Sequence, residues 1–302
     1  RDSNSTNLLI ADVDPSTGSL ITIERVTSTT RLGAGVDTTR MLSEESMSRT
    51  LETLKRYRTL LDEHGAVLTR AVASSACRDA ANSADFLGRV LESTRLTVDL
   101  LSGADEGRLS YSGALSGLRS DPMGDLVIDI GGGSTEFILG REGTVETSLS
   151  IDVGAVRLTD RHLRTDPPRP EDLTNAIGDA TDLIDDLVRA TPELAGRRQV
   201  IGVAGTIDTI AAVEIGDSDA TTRHGFVLTR AAVEDVFRTL ATEPLRDRVH
   251  NPGLPADRAD IIVGGCCVLV AAFRRLQLDS ITVSTHNILD GVCVELAARG
   301  SA

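Results

Sequence analysis

The apolar positions of the chain fall into short alternating stretches and longer runs at helical spacing, separated by turn residues. "NLLIADVD" and "SLITIERVTSTT" alternate as strands do, with a Pro-Ser-Thr-Gly turn between them. "SEESMSRTLETLKRYRTLLDEHG" carries Met47, Leu51, Leu54 and Leu61 at helical spacing, with Ser43 placed to cap it and Gly65 to stop it. "AVLTRAVAS" predicts a strand, "RDAANSADFLGRVLEST" a helix, "LTVDLLSG" a strand and "DEGRLSYSGALSG" a helix. The pattern then restarts. "DLVIDI", "EFILG" and "TVETSLSIDVG" read as strands, followed by a short helix around "AVRLTDRHL" and a longer one in "EDLTNAIGDATDLIDDLVRA". "RQVIGVAG" feeds the helix "TIDTIAAVE". Two more helices, the strand "SITVST" and the helix "ILDGVCVELAAR" complete the chain. Strands followed by alternating helices and strands, twice over, predict two similar α/β domains with a boundary near residues 112–122, written here as 1–120 and 121–302. A ligand site is expected in a cleft where the two meet.

Composition narrows the function. The 302 residues are 40% apolar, 25% charged and only 2% aromatic, with a net charge of -14. Nucleic-acid and anionic-membrane binding both call for a basic surface, and single-strand binding also calls for stacking rings, so neither partner is expected. Cys77, Cys266, Cys267 and Cys293 form no C-x-x-C pair and are read as buried reduced thiols of a cytoplasmic protein. The run "IIVGGCCVLVAAF" is too short to span a bilayer and reads as a buried helix.

The candidate chemistry sits in "LVIDIGGGSTEF", residues 126–137. Glycines let backbone amides approach phosphate oxygens without an intervening Cβ. A Walker loop would need a lysine, and a Rossmann loop a third spaced glycine with a helix after it; here a strand follows. A strand–loop–strand hairpin remains, with Gly131, Gly132 and Gly133 at its tip and Asp129 at its entrance. A carboxylate beside a phosphate calls for a cation, and Mg2+ held by one or two carboxylates plus phosphate oxygens is the natural one. Ser134 and Thr135 can donate to phosphate, and Glu136 can help to hold the metal. A plain glycine hairpin with a solvated aspartate is the ordinary alternative. Gly205-Thr206 forms a second turn, where helix amides attract an anion or Thr206 simply caps the helix.

Several segments together resemble the exopolyphosphatase / guanosine pentaphosphate phosphohydrolase family of the actin / Hsp70 / sugar-kinase superfamily. They are "VASSACRDAAN", "LSGADEGRLSYSGA", "VIDIGGGSTEF", "DVGAVRLTD", "GVAGTIDTIAA", "RADIIVGG" and "ITVSTHNILDG", in order along nearly the whole chain. The resemblance implies two ribonuclease-H-like (actin-like ATPase) domains with a cleft between them. It implies a hydrolase that releases the terminal phosphate of inorganic polyphosphate with Mg2+ or Mn2+, K+ being a further candidate ion. It places the general base at Glu106, further catalytic and metal-handling acids at Asp129 and Glu136, and a phosphate-binding arginine at Arg78. The first phosphate loop maps onto Asn4 and Ser5, with Asp2 in the place of its metal-binding acid, although no glycine follows Asp2. Asp105, Gly107, Thr285 and Asn287 are milder departures from the family pattern. Arg31 and Arg258 are candidate cleft liners.

A guanosine pentaphosphate phosphohydrolase of the stringent response is the nearest alternative, although few rings are present to stack guanine. A non-catalytic alarmone-binding protein, recognising guanosine tetraphosphate, is the alternative of another class. Long family members carry further helical domains, so a short two-domain form favouring short polyphosphate chains is expected, and the resemblance implies a homodimer.

Overall fold

The computed structural model describes residues 5–14, 19–73, 75–196, 198–217 and 219–300. Contacts divide the chain into two units, residues 1–117 with 288–302, and residues 118–287.

In the first unit β1 (Ser5–Val13) and β2 (Leu20–Thr29) form an antiparallel hairpin, with a bulge at Ile10/Ala11. Helix Glu44–Glu63 packs on it. Ser43 caps that helix as its sequence suggested, accepting from the Ser46 amide at 3.2 Å, and Gly65 just past its end has φ +63°, a conformation that favours glycine. Tyr57 ties helix to hairpin: its ring is buried and its hydroxyl donates to Thr6 O at 2.8 Å. Leu8, Ile10, Met47, Leu61, Phe86 and Val90 fill the core beneath. β3 (Ala71–Ala73) and β4 (Val98–Leu100) pair in parallel, flanking helix Ser83–Thr94. The expected strand "AVLTRAVAS" is thus only three residues long. Among the described residues this unit has two separate two-stranded ladders, where the second unit has a continuous sheet.

The last helix, Ile288–Gly300, corrects the expected division at 120/121. It belongs to the first unit and packs along helix Gly103–Leu115. Gly291 permits this, because a Cβ there would lie 2.1 Å from the Leu109 carbonyl oxygen. Asp290 beside it is fully buried and accepts from Arg25 Nη2 of β2 at 2.6 Å. One turn on, Glu295 accepts from Arg70 at 3.0 Å and also from Arg108, and forms an ion pair with Arg299. Burial pushes the Glu295 carboxyl up, but these three arginines outweigh burial and hold it below its ordinary value of 4.5.

The second unit is built on a six-stranded sheet in the order β7-β6-β5-β8-β10-β9. The strands are β5 (Asp125–Ile130), β6 (Thr135–Arg141), β7 (Thr144–Ile151), β8 (Gln199–Val203), β9 (Val227–Thr229) and β10 (Ser280–Val283). β5, β8 and β10 run parallel, and the other three are antiparallel to their neighbours. Central β5 is buried on both faces and apolar apart from Asp125 and Asp129, whereas edge strand β7 alternates exposed and half-buried residues. Helix Ile262–Arg275 is buried from Ile262 to Phe273, as its apolar run predicted, and packs on helices Pro170–Ala190, Ala155–His162 and Arg230–Thr242. All four cysteines are free, and burial pushes the Cys267 thiol up to about 12, which leaves it unreactive. No helix of the described residues is long and apolar enough to cross a membrane.

Arg248 is a buried structural cation. It donates to the carbonyl oxygens of Leu240 (2.8 Å), Glu243 (2.7 Å) and Ala259 (3.0 Å), pinning the short turn Ala256–Arg258. Arg248→Met keeps the apolar stem but deprives three acceptors of their donor. Stability is expected to fall by about 3 kcal/mol, read as a lower denaturant midpoint. A second expectation concerns acid. The folded-state value of Glu295 lies below its unfolded one, so its contribution is present above about pH 4.5 and is lost as pH falls through the folded value. A melting temperature that falls on acidification below that point, and falls less steeply in Glu295→Gln, is the result to look for.

Candidate functional site

In the second unit the strand–loop–strand expectation holds. β5 and β6 are joined by residues 131–134, and the loop is closed by the Gly131 amide donating to Ser134 O at 3.0 Å. The loop carbonyls are turned onto the start of helix Ala155–His162. Gly131 O accepts from the Ala155 amide at 3.0 Å, and Gly132 O from Val156 (2.9 Å) and Arg157 (3.1 Å). Among the described residues the amides of Gly132 and Gly133 donate to no protein acceptor. That is the arrangement of a phosphate cradle: carbonyls satisfied on one side, amides left for an anion. Gly154 makes the contact possible, since a Cβ there would lie 2.6 Å from Gly131 O and 2.7 Å from Gly132 O.

Asp129 and Glu136 are direct partners in the β5/β6 ladder. Their side chains therefore share one face, with about 5 Å between Cβ atoms for such a pair. Glu136 Oε1 accepts from Ser134 Oγ (2.7 Å) and Ser150 Oγ (2.9 Å). Two hydroxyls thus hold a carboxylate opposite a second one. Among the described residues no group of three or more His, Cys, Asp or Glu could hold a metal unaided. A pair of carboxylates beside a phosphate cradle still suits Mg2+, which keeps several waters and takes substrate oxygens as ligands.

Two hydroxyls expected to meet phosphate do other work. Thr135 is fully buried and donates to Val153 O at 2.7 Å, locking the loop to the strand end. Ser134 is buried and spends its single proton on Glu136. Thr206 neither caps nor faces outward. Helix Ala204–Ile215 has Val203 at its N-cap with no side-chain cap, and Thr206 is buried with its methyl against Gly265. Ala204 has φ +68°, a strained value for a residue with a side chain, at the turn that aims this helix. Gly205 is the residue of that turn with room for a neighbour. Arg258 fills it, its guanidinium 2.1–2.3 Å from where a Cβ would stand.

Sequence reasoning missed Arg157. Its Nη2 lies 3.7 Å from the Cβ position of Gly133, and its ion pair with Asp152 is loose at 3.9 Å. The signal was the Gly154-x-x-Arg157 spacing after β7, which puts a cation on the first turn of a helix.

In the first unit Arg78 and Glu106 come together. Arg78 Nη1 donates to Leu101 O at 2.6 Å and to Glu106 Oε2 at 3.3 Å, with each side chain 25% exposed. Neighbouring Asp105 is occupied differently. Ser102 caps helix Gly103–Leu115 by accepting from the Asp105 amide at 3.1 Å, and its hydroxyl donates to Asp105 Oδ2 at 2.6 Å. That bond, with Arg108 nearby, holds the Asp105 carboxyl below its ordinary value. Of the two adjacent acids, one is bound to the capping serine and the other faces an arginine. Ser5 opens β1 opposite Thr29, and Arg31 lies on an exposed turn with φ +51°. Asp2 and Asn4 lie outside the described residues.

A family model described as the Ppx/GppA phosphatase family matches residues 9–299. The chain belongs to that family. It is 37% identical to exopolyphosphatase 2 of Mycobacterium tuberculosis over 310 residues, covering 97% of this chain and 96% of that protein. It is 26% identical to the guanosine-5'-triphosphate,3'-diphosphate pyrophosphatase of Photobacterium profundum, covering 93% of this chain and 55% of that one. The crystal structure of the Aquifex aeolicus Ppx/GppA family member superposes with a TM-score of 0.85 at 29% identity, covering 99% of this chain and 96% of that one. The fold is accordingly the α/β fold of the Ppx/GppA structures, as the resemblance of the sequence implied. As a Ppx/GppA phosphatase the chain is an enzyme, so the non-catalytic alternative falls away.

Gly154→Ala tests the cradle. Its φ of -159° suits any residue, so the added methyl acts only by pushing on Gly131 and Gly132. Overpacking of this kind costs about 1–3 kcal/mol. The KM for a phosphorylated substrate should rise roughly tenfold if part of that cost falls on the bound state, as read from phosphate-release kinetics.

Proposed function

We propose that the protein is an exopolyphosphatase that transfers the terminal phosphoryl group of inorganic polyphosphate to water. The observation that carries this reading is the similarity to exopolyphosphatase 2 over nearly the full length of both chains. The site chemistry fits it. Phosphoryl transfer leaves little covalent work to the protein, so positioning and charge stabilisation decide the rate. The amides of Gly132 and Gly133, with Arg157 beside them, hold phosphoryl oxygens. Arg78 keeps its Nε and Nη2 donors for phosphate while its Nη1 holds Glu106. Glu106 accepts a hydrogen bond from water and aligns it for in-line attack. Asp129 and Glu136 hold Mg2+, or Mn2+ in its place, which when bound offsets charge on the phosphate.

The Photobacterium relative favours a second substrate, guanosine pentaphosphate, attacked by the same chemistry at its terminal anhydride. Preference for short polyphosphate chains belongs to the same proposal.

The experiment is phosphate release from polyphosphates of graded length, with guanosine pentaphosphate in parallel, with Mg2+ and with chelator. Release from polyphosphate that stops on chelation supports the reading. Release only from guanosine pentaphosphate replaces it with the second one. Glu106→Gln should lower kcat roughly a hundredfold or more while leaving KM nearly unchanged, and an unaltered rate would remove Glu106 from its role.

A further inference from the structure

The pairing of Glu106 with Arg78 depends on how helix Gly103–Leu115 follows from the end of β4 through Leu101, whose carbonyl also receives Arg78. Both are held from outside by one carboxylate. Glu295 Oε2 accepts from Arg108, two residues past Glu106 on the same helix. Its Oε1 accepts from Arg70 Nη1 at 3.0 Å, and Arg70 Nε donates to Asp99 Oδ2 of β4, also at 3.0 Å. β4 leads directly into Leu101, whose carbonyl receives Arg78 and whose amide donates to Ala73 O of β3 at 2.9 Å. One acid therefore grips the segment bearing Glu106 with one oxygen and the segment anchoring Arg78 with the other.

Three features separate this from an ordinary surface cluster. The Glu295 and Arg70 side chains are 15% and 13% exposed, well below the 52% of Asp99 and 45% of Arg108. The three arginines outweigh burial and keep Glu295 ionised. The helix beneath it cannot shift to compensate, because Gly291 is seated on the Leu109 carbonyl and Asp290 is tied to Arg25. Exposed ion pairs contribute little, but a largely covered carboxylate shared by three guanidinium groups fixes geometry.

We propose that Glu295 is a positioning residue for the hydrolytic step, setting the Glu106–Arg78 geometry by holding Arg108 and Arg70 at once. This rests on the reading of Glu106 as the group that aligns water. Misplacing such a group affects the transition state more than ground-state binding, so the effect falls on kcat.

The test is a kinetic double-mutant cycle on the full chain, with polyphosphate as substrate and melting temperature recorded for each variant. Glu295→Gln is expected to lower kcat roughly tenfold and to leave KM within about twofold. Glu106→Gln is slow by itself, and adding Glu295→Gln to it is expected to slow it by about threefold or less, since one of the two groups being positioned is gone. An unchanged kcat in Glu295→Gln overturns the proposal. So does a tenfold loss carried in full into the Glu106→Gln background, which would mark a general loss of structure. A wild-type rate in Glu106→Gln itself would overturn the base assignment and this inference with it. Should Glu295→Gln not fold, Arg108→Gln enters the same cycle with the same expectations.

Discussion

A hairpin loop that leaves its amides open on one side has to dispose of its carbonyls on the other, and the rest of the second unit is arranged around that need. Gly131 and Gly132 turn their oxygens onto the first amides of helix Ala155–His162, which would otherwise be unsatisfied themselves. One set of hydrogen bonds therefore closes two accounts of orphan groups. It also fixes the loop largely through the backbone, so the amides of Gly132 and Gly133 are preorganised rather than recruited. The dependence runs outward from there. Gly154 must lack a Cβ, Thr135 must be buried to pin the strand end to Val153, and β7 must deliver the chain to Gly154 at the right height. Ser134 joins Ser150 in orienting Glu136 opposite Asp129.

The first unit solves its problem by closing on its own far end. Beside the β1/β2 hairpin its only other ladder among the described residues has strands of three residues, which offers little sheet to hold the helix that carries Glu106. The last helix supplies the missing support, crossing so closely that a glycine is required at the contact. Asp290, Gly291 and Glu295 then connect the β1/β2 hairpin, the Glu106 helix and the β3/β4 ladder through one rigid element.

Much of this was legible in the sequence, and the division between what was and was not follows from range. The glycine hairpin, the Ser43 cap, the Gly65 stop and the buried helix at 262–273 rest on local periodicity and turn chemistry, and the chain adopts them. Motif resemblance brought Arg78 and Glu106 forward, and they lie in contact. What escaped depends on partners distant in sequence. Thr135 reads as an available hydroxyl until Val153 is seen to take its proton, and Thr206 reads as a cap until Gly265 is found against its methyl. Arg157 looks like any helix arginine without the loop beside it. The return of the last helix to the first unit could not be read from a strand–helix pattern that continues smoothly to the end.

The acidic balance of the chain bears on the same sites. Lys55 is the single lysine, so nearly all of its 31 basic residues are arginines, and most of those described here already hold a carboxylate. A phosphate must therefore find cations that are not committed. Pairing strength decides which these are. Arg70, Arg169 and Arg223 sit within 3.0 Å of their acids, the last with a two-pronged grip on Asp208. Arg157 holds exposed Asp152 only at 3.9 Å, and the Arg258 guanidinium makes no ion pair among the described residues while lying over Gly205 at a helix N-terminus. These two loosely held arginines stand at the two glycine turns of the second unit. An overall charge of -14 is thus compatible with a polyanionic substrate, because the field that matters is set by the few cations left uncompensated beside the backbone amides.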